Sequence, residues 1–137
     1  MPPLQLTKEQ LIPLLEELAV LLELKGENPF KSKAYANAAK ILETMELDLR
    51  DAIETRSLLQ KKGIGESMFE TISKWASTGH SLYYEEVKAT IPPGLLEMLN
   101  IRGLGIKKIR QIHETLGINA LVDLEYACIE NRLTDLP

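Results

Sequence analysis

Apolar residues recur every three to four positions along most of the chain, and no stretch alternates apolar with polar residues for long enough to predict a strand. Leu11, Leu14, Leu15, Leu18, Leu21 and Leu22 line one side of a helix predicted from about Thr7 to Leu24, with Glu16, Glu17 and Glu23 opposite. Thr7 and Gln10 have the spacing of a capping box, and Gly26 ends the helix. Pro13 conflicts with that start, because an interior proline loses a bond to the preceding turn, so the helix begins near Pro13 or kinks there. Asn28-Pro29 opens a second helix, along which Phe30, Ala34, Ala38, Ile41 and Met45 form the expected buried stripe. Asp48 caps a third through about Arg56; residues 57–60 form a short fourth; a longer one runs from Glu66 to Ser77 and closes at Gly79. Ser81 caps a helix that ends before Ile91-Pro92-Pro93-Gly94, which reads as a joint between subdomains. Helices are then expected over residues 95–100, over 106–116 closed by Gly117, and over 120–131. The predicted class is all-α, in two small helical subdomains, residues 1–90 and 91–137.

Displaced by forty residues, the chain matches itself. Leu59 falls on Leu99, Lys62 on Arg102, Gly63 on Gly103, Ile64 on Leu104 and Gly65 on Gly105; Phe69 falls on Ile109, and Ile72 on Ile112. A basic-Gly-apolar-Gly element thus occurs twice, each time between two short helices. Such a hairpin needs positive φ or close backbone approach, and glycine supplies both. Ile64 and Leu104 are expected to fold inward and pin the turns. The turn and first-turn amides then point outward without partners and suit a phosphate oxygen, aided by the positive end of the helix dipole. Contacts of this kind position a protein on nucleic acid without distinguishing bases. The candidate DNA-binding residues are Lys62, Gly63 and Gly65 in the first hairpin, and Arg102, Gly103, Gly105, Lys107, Lys108 and Arg110 in the second. Glu66 in the first turn is expected to compete with phosphate for the same donors, making the second hairpin the stronger site.

Composition agrees with a helical domain: the 137 residues are 45% hydrophobic but only 5% aromatic. The net charge of −4 argues mildly against a polyanionic partner, yet it is unevenly spread. Residues 1–60 carry 7 basic and 10 acidic groups, whereas after residue 100 four basic residues precede any acid. Local sign governs steering, because screening removes effects beyond about 8–10 Å. No apolar run approaches the roughly 20 residues that span a bilayer, so no membrane partner is expected. The start has neither part of a signal peptide, which makes the cytoplasm the default location. Cys128 is a lone cysteine, expected to be buried, and excludes an internal disulfide or a cysteine-rich zinc site.

At these residues the chain resembles the helix-hairpin-helix region of family X DNA polymerases, the polymerase beta-like repair enzymes, and most of all their bacterial and archaeal branch. The segment Leu22 to Lys31 with Ala34-Tyr35 is similar to that branch's opening, Lys62-Gly63-Ile64-Gly65 and Arg102-Gly103-Leu104-Gly105 to its hairpins, and Ile91 to Leu96 to its connector. The resemblance implies a polymerase beta N-terminal-like fold with a helix-hairpin-helix motif in each subdomain. It also implies a fragment whose parent is a DNA-directed DNA polymerase, the palm following Leu136-Pro137. No Asp-x-Asp pair able to hold two Mg²⁺ is present, so the fragment is not expected to polymerise. The expected partner is DNA, gapped or nicked duplex, bound by a monomer. The resemblance further assigns Lys31 to phosphate contact and Tyr35 to a pocket. It implies a monovalent cation, K⁺ or Na⁺, on the carbonyls of Leu59, Lys61 and Ile64 and of Leu99, Ile101 and Leu104, and no other cofactor. Pro often stands in the family where Lys62 and Arg102 stand here.

Some members remove a 5′-deoxyribose phosphate through a lysine Schiff base. Thr71 and Ser67 occupy the positions of the nucleophilic and phosphate-holding lysines, so both amines are missing; Lys74, one turn on, is the remaining nucleophile for such a lyase. A third reading is a helical protein-interaction module, motivated by the acidic first 60 residues. Gly105→Ala, expected to strain its turn, separates it from DNA binding.

Overall fold

Helix caps set most of the boundaries. A computed structural model describes residues 3–26, 28–101 and 105–116. α1 (Lys8–Lys25) starts on the full capping box: the Thr7 hydroxyl accepts the Gln10 amide at 3.2 Å, and the Gln10 side chain accepts the Thr7 amide at 2.9 Å. The helix continues through Pro13. Both Pro13 and Glu9, whose carbonyl loses its helical donor, are exposed, so water can take the missing bond's place. Gly26 closes α1 with φ of +82°, a conformation that favours glycine.

α2 (Pro29–Thr44) begins where expected, the Asn28 side chain accepting the Phe30 amide at 3.0 Å. Its buried face differs from the stripe read in the sequence. Ala38 and Met45 are buried, but Phe30 is 80% exposed, Ala34 and Ile41 are half-buried, and Ser32, Tyr35, Ala39 and Leu42 complete the inner face. The reason is the contact with α1: Ser32 donates a buried 2.8 Å bond to the Ala19 carbonyl, which turns the small-residue side of α2 inward. Small side chains there let the helices approach closely, a packing gain that outweighs burying the larger Phe30.

Asp48 caps α3 (Leu49–Glu54), accepting the Asp51 amide at 2.8 Å. α3 stops short of Arg56, which is left-handed at φ 59° and turns the chain into a 3₁₀ turn at Ser57–Gln60. α4 (Glu66–Thr78) ends at Gly79, and Ser81 caps α5 (Leu82–Thr90). Ile91 is buried, and Pro93 opens α6 (Pro93–Met98). α7 (Ile106–Leu116) has the expected bounds. The helix expected over residues 120–131, with Gly117 and Cys128, lies outside the described residues. Among the described residues there are seven α-helices and no strand, in keeping with the all-α class.

The core is organised around α1, which packs against α2, α5 and α7. Leu11, Leu15, Leu18, Leu21 and Leu22 are fully buried, and one hydrophobic cluster joins them to Phe69, Ile72 and Trp75 of α4 and to Ile109 and Ile112 of α7. Burying such a leucine contributes about 1.5–3 kcal/mol, so this stripe is a strong anchor for α7, which packs directly on α1. Among the described residues, no helix is long and apolar enough to cross a membrane.

Candidate nucleic-acid interface

The first hairpin joins the 3₁₀ turn to α4 and is described throughout. Gly63 has φ +98°, a conformation that requires glycine; a Cβ there would also meet the end of the Asn37 side chain, which can swing aside. Ile64 is 5% exposed and anchors the turn, as its position between the glycines predicts. Its amide is not an outward donor, because it bonds the Lys61 carbonyl at 3.1 Å. The outward donors are those of the first turn of α4. No side chain caps this helix, and the amides of Glu66, Ser67 and Met68 have no hydrogen-bond partner among the described residues. The competition expected from Glu66 is therefore absent in this geometry: its carboxylate does not fold back onto the helix start. Lys61, Lys62 and Gly65 are exposed around these donors.

Gly65 is glycine for another reason. Its φ of −87° is open to any residue, and a Cβ would meet nothing within 4 Å. Gly105 is the same: it is not among the positive-φ glycines, and its Cβ would enter open space. The expected strain on Gly105→Ala is thus corrected. Neither glycine serves the fold's own sterics; each leaves bare backbone facing outward before a helix start.

In the second hairpin Lys107 and Lys108 are exposed, whereas Arg110 is half-buried and turned back on the fold. Its guanidinium sits at the carboxyl end of α1, 3.1 Å from where a Cβ on Gly26 would be, and it pairs with Glu114 at 3.5 Å. A cation at a helix C-terminus meets the negative end of the dipole, so Arg110 joins α7 to α1. Sequence spacing grouped it with Lys107 and Lys108; the structure leaves those two exposed and pairs Arg110 within the fold, although Arg110 and Lys107 line one groove between α2 and α7. Arg102, Gly103 and Leu104 lie outside the described residues, so of the six candidate cation-binding carbonyls the structure places five: Leu59, Lys61, Ile64, Leu99 and Ile101. In the first hairpin the Leu59 and Ile64 carbonyls accept no hydrogen bond from the described residues, and the Lys61 carbonyl takes only the Ile64 amide. Among the described residues, no cluster of His, Cys, Asp and Glu is arranged to hold a metal.

Away from the hairpins, a cavity of about 470 Å³ between α2, α4 and α5 is lined by Lys31, Tyr35, Thr71, Lys74, Trp75 and Tyr83, among others. Tyr35 is 8% exposed and stacks on Tyr83 with centroids 6.3 Å apart, so it is both core and cavity wall. Burial first, then the neighbouring Tyr83, raises the Tyr35 pKa, and the phenol is neutral at pH 7. Lys31 lies over the Tyr83 ring at 4.6 Å. The sequence did not single out Asn37, which stands against Gly63, or Arg56, whose guanidinium lies 5.2 Å from the Phe69 ring centre. Asn37 shares the outer face of α2 with Lys33 and Lys40, a helical spacing that could have drawn notice; the left-handed turn at Arg56 leaves no such mark.

With this geometry in place, residues 7–81 match a family described as a helix-hairpin-helix domain. The chain belongs to that helix-hairpin-helix family. Across 129 residues it is 36% identical to the DNA polymerase/3′-5′ exonuclease PolX of Bacillus subtilis (strain 168), a match covering 94% of this chain and 22% of that protein. The resemblance to a family X polymerase read from the hairpins therefore holds, and the helix-hairpin-helix domain corresponds to under a quarter of its relative's length.

Proposed function

We propose that this helix-hairpin-helix domain binds DNA as part of a family X repair polymerase, gripping the sugar-phosphate backbone of gapped or nicked duplex without reading base sequence. The carrying observation is the pairing of bare glycine with an uncapped helix start. At Gly65 a Cβ would occupy open space, and the next three amides have no partner among the described residues. A phosphate seated there receives several N–H bonds and the positive end of the α4 dipole, while Lys61 and Lys62 add long-range attraction. Gly105, where a Cβ would also enter open space, stands before α7 beside Lys107 and Lys108. Two cradles on one body hold two stretches of backbone. The free carbonyls of Leu59 and Ile64, with Lys61, suit a hard monovalent cation, K⁺ or Na⁺, which would bridge the hairpin to a phosphate oxygen; Leu99, Ile101 and Leu104 are the matching set.

Fluorescence anisotropy on gapped and nicked duplexes over a range of KCl concentrations tests this reading. Counterion release predicts a linear fall of log K with log salt, with slope about −0.9 per phosphate contact. Absence of binding at low salt would end it.

A second reading is favoured by the cavity, which brings Lys74 beside Lys31 and Tyr35. Lys74 would attack the C1′ aldehyde of a 5′-deoxyribose phosphate, expelling water as the Schiff base forms, with Lys31 on the phosphate. Lys74 is exposed and lines that cavity. Borohydride trapping on an incised abasic duplex decides it: an adduct that Lys74→Ala removes supports the lyase, and no adduct excludes it.

A further inference from the structure

A groove of about 720 Å³ runs between α1 and α2 and meets the start of α7 at one end. α2 folds back along α1, Ser32 bonding the Ala19 carbonyl, and one face of each helix supplies the floor: Ala19 and Val20 of α1, Ser32 and Ala36 of α2. Val20 is half-buried and Ala36 exposed, which leaves apolar surface open between the helices. The rims are charged. Glu16 and Glu23 stand on α1, Lys33, Lys40 and Glu43 on α2, and Lys107 on α7, all exposed. None of these six forms an ion pair among the described residues. The charges are also sorted along the groove. Arg110 lies at the carboxyl end of α1, which places Glu23, Lys33, Lys107 and Arg110 at the end next to α7, where bases outnumber acids three to one. About 10 Å further along, seven residues at roughly 1.5 Å each, Glu16, Lys40 and Glu43 make the other end acidic.

We infer that this groove docks one amphipathic α-helix of a partner protein, its first half acidic over Lys33 and Lys107 and its second half basic over Glu16 and Glu43. Two antiparallel helices with small residues between them form a valley that takes a third helix by ridge-and-groove packing. A helix satisfies its own backbone polar groups, whereas an extended peptide needs a strand edge, and there is no strand among the described residues. DNA does not fit, because a polyanion here would face three carboxylates across an apolar floor. The charge order sets the direction. Acids first and bases last match both ends of the groove and the partner helix's own dipole, so the partner lies antiparallel to α1. Apart from Lys107, the site shares no residue with the proposed DNA cradles.

The probe is a fluorescent peptide of about 18 residues, roughly 27 Å of helix, with Leu and Ala on one face, Glu in its first half and Lys in its second. A hydrocarbon cross-link on the far face holds it helical, and binding is read by anisotropy. Wild type is expected to bind it at least about tenfold more tightly than a peptide of the same composition in scrambled order. A36W fills the floor from an exposed position outside both hairpins; it should lose about tenfold or more and bind gapped duplex as wild type does. E16K with E43K should lose a similar factor and regain it toward an all-acidic form of the peptide, a response that general damage to the fold does not give. Should A36W alter thermal unfolding, this charge reversal decides. Equal binding of the ordered and scrambled peptides, A36W binding like wild type, or charge reversal without rescue overturns the docking site and leaves the DNA reading untouched. Self-association of wild type that A36W abolishes assigns the groove to a second copy and overturns it as well. Peptide binding that follows this pattern supports the docking site even where DNA binding fails.

Discussion

The two hairpins repeat one sequence element forty residues apart, yet the fold uses them differently. In the first, Gly63 is demanded by its own turn, at φ +98°, and the charge around it is modest. In the second, the basic residues are denser, but one of them, Arg110, serves the packing of α7 on α1. Duplication of a motif therefore does not duplicate its electrostatics. What the copies share is the outward-facing glycine before a helix, Gly65 and Gly105, and that common part carries the proposed chemistry. Counting lysines and arginines by spacing ranks the second hairpin above the first; among the described residues, those exposed are Lys107 and Lys108 against Lys61 and Lys62, Arg102 lying outside them.

Substitutions of the glycines separate their roles most sharply. Gly63→Ala should cost about 1–3 kcal/mol of folding stability, from its positive φ, as read by urea denaturation. Gly65→Ser should do the opposite to the fold. A serine at this N-cap accepts an α4 amide and adds a few tenths of a kcal/mol, while its hydroxyl takes the donors a phosphate needs, so DNA affinity falls by about 1–2 kcal/mol. Stability and binding moving together in Gly65→Ser would break the distinction between the two glycines.

The charges come next. Lys107→Ala with Lys108→Ala should flatten the salt dependence of DNA binding by up to about 1.8 in log–log slope, two contacts at about 0.9 each. Arg110→Ala should leave that slope unchanged and lower stability by about 0.3–1 kcal/mol, the worth of a partly screened cation at a helix C-terminus. An Arg110→Ala slope change as large as that of Lys107→Ala would return Arg110 to the interface.

The smallest effect concerns the tie between α5 and α1, outside both hairpins. Tyr84 donates to Glu17, and Lys88 donates to Tyr84 at 3.3 Å and pairs with Glu17 at 3.2 Å. Burial, then the Glu17 bond, raises the Tyr84 pKa above its usual 10.0, and the bonds to Tyr84 and Glu17 raise Lys88 above its usual 10.5. Each group holds its proton more tightly when folded. Their stabilisation is complete below pH 10 and is lost as pH rises through the folded-state values. Thermal unfolding should therefore fall more steeply above pH 10 in wild type than in Tyr84→Phe; equal slopes would show that the tie adds no stability.

Helix starts and stops were written in short stretches of chain: Thr7 with Gln10, Asn28 with Pro29, Asp48, Ser81, Gly26 and Gly79 act on neighbours within a turn. The same holds for the repeated hairpin, whose glycines and inward Ile64 follow from local geometry. Sequence-local reasoning was less successful where a distant element held the deciding vote. The inner face of α2 depends on which ridge meets α1, and a helix this rich in alanine has two acceptable apolar faces; hence the sequence pattern places Phe30 in the core and gives Ser32 no role, the reverse of the structure. Arg110 looked like a DNA contact because its neighbours in sequence are basic, while its partner in space is the end of a helix more than eighty residues earlier. Backbone caps are decided by a few torsions and one or two hydrogen bonds, so the sequence alone determines them. The direction a side chain faces is decided by packing among helices far apart in the chain, and only the tertiary structure settles it.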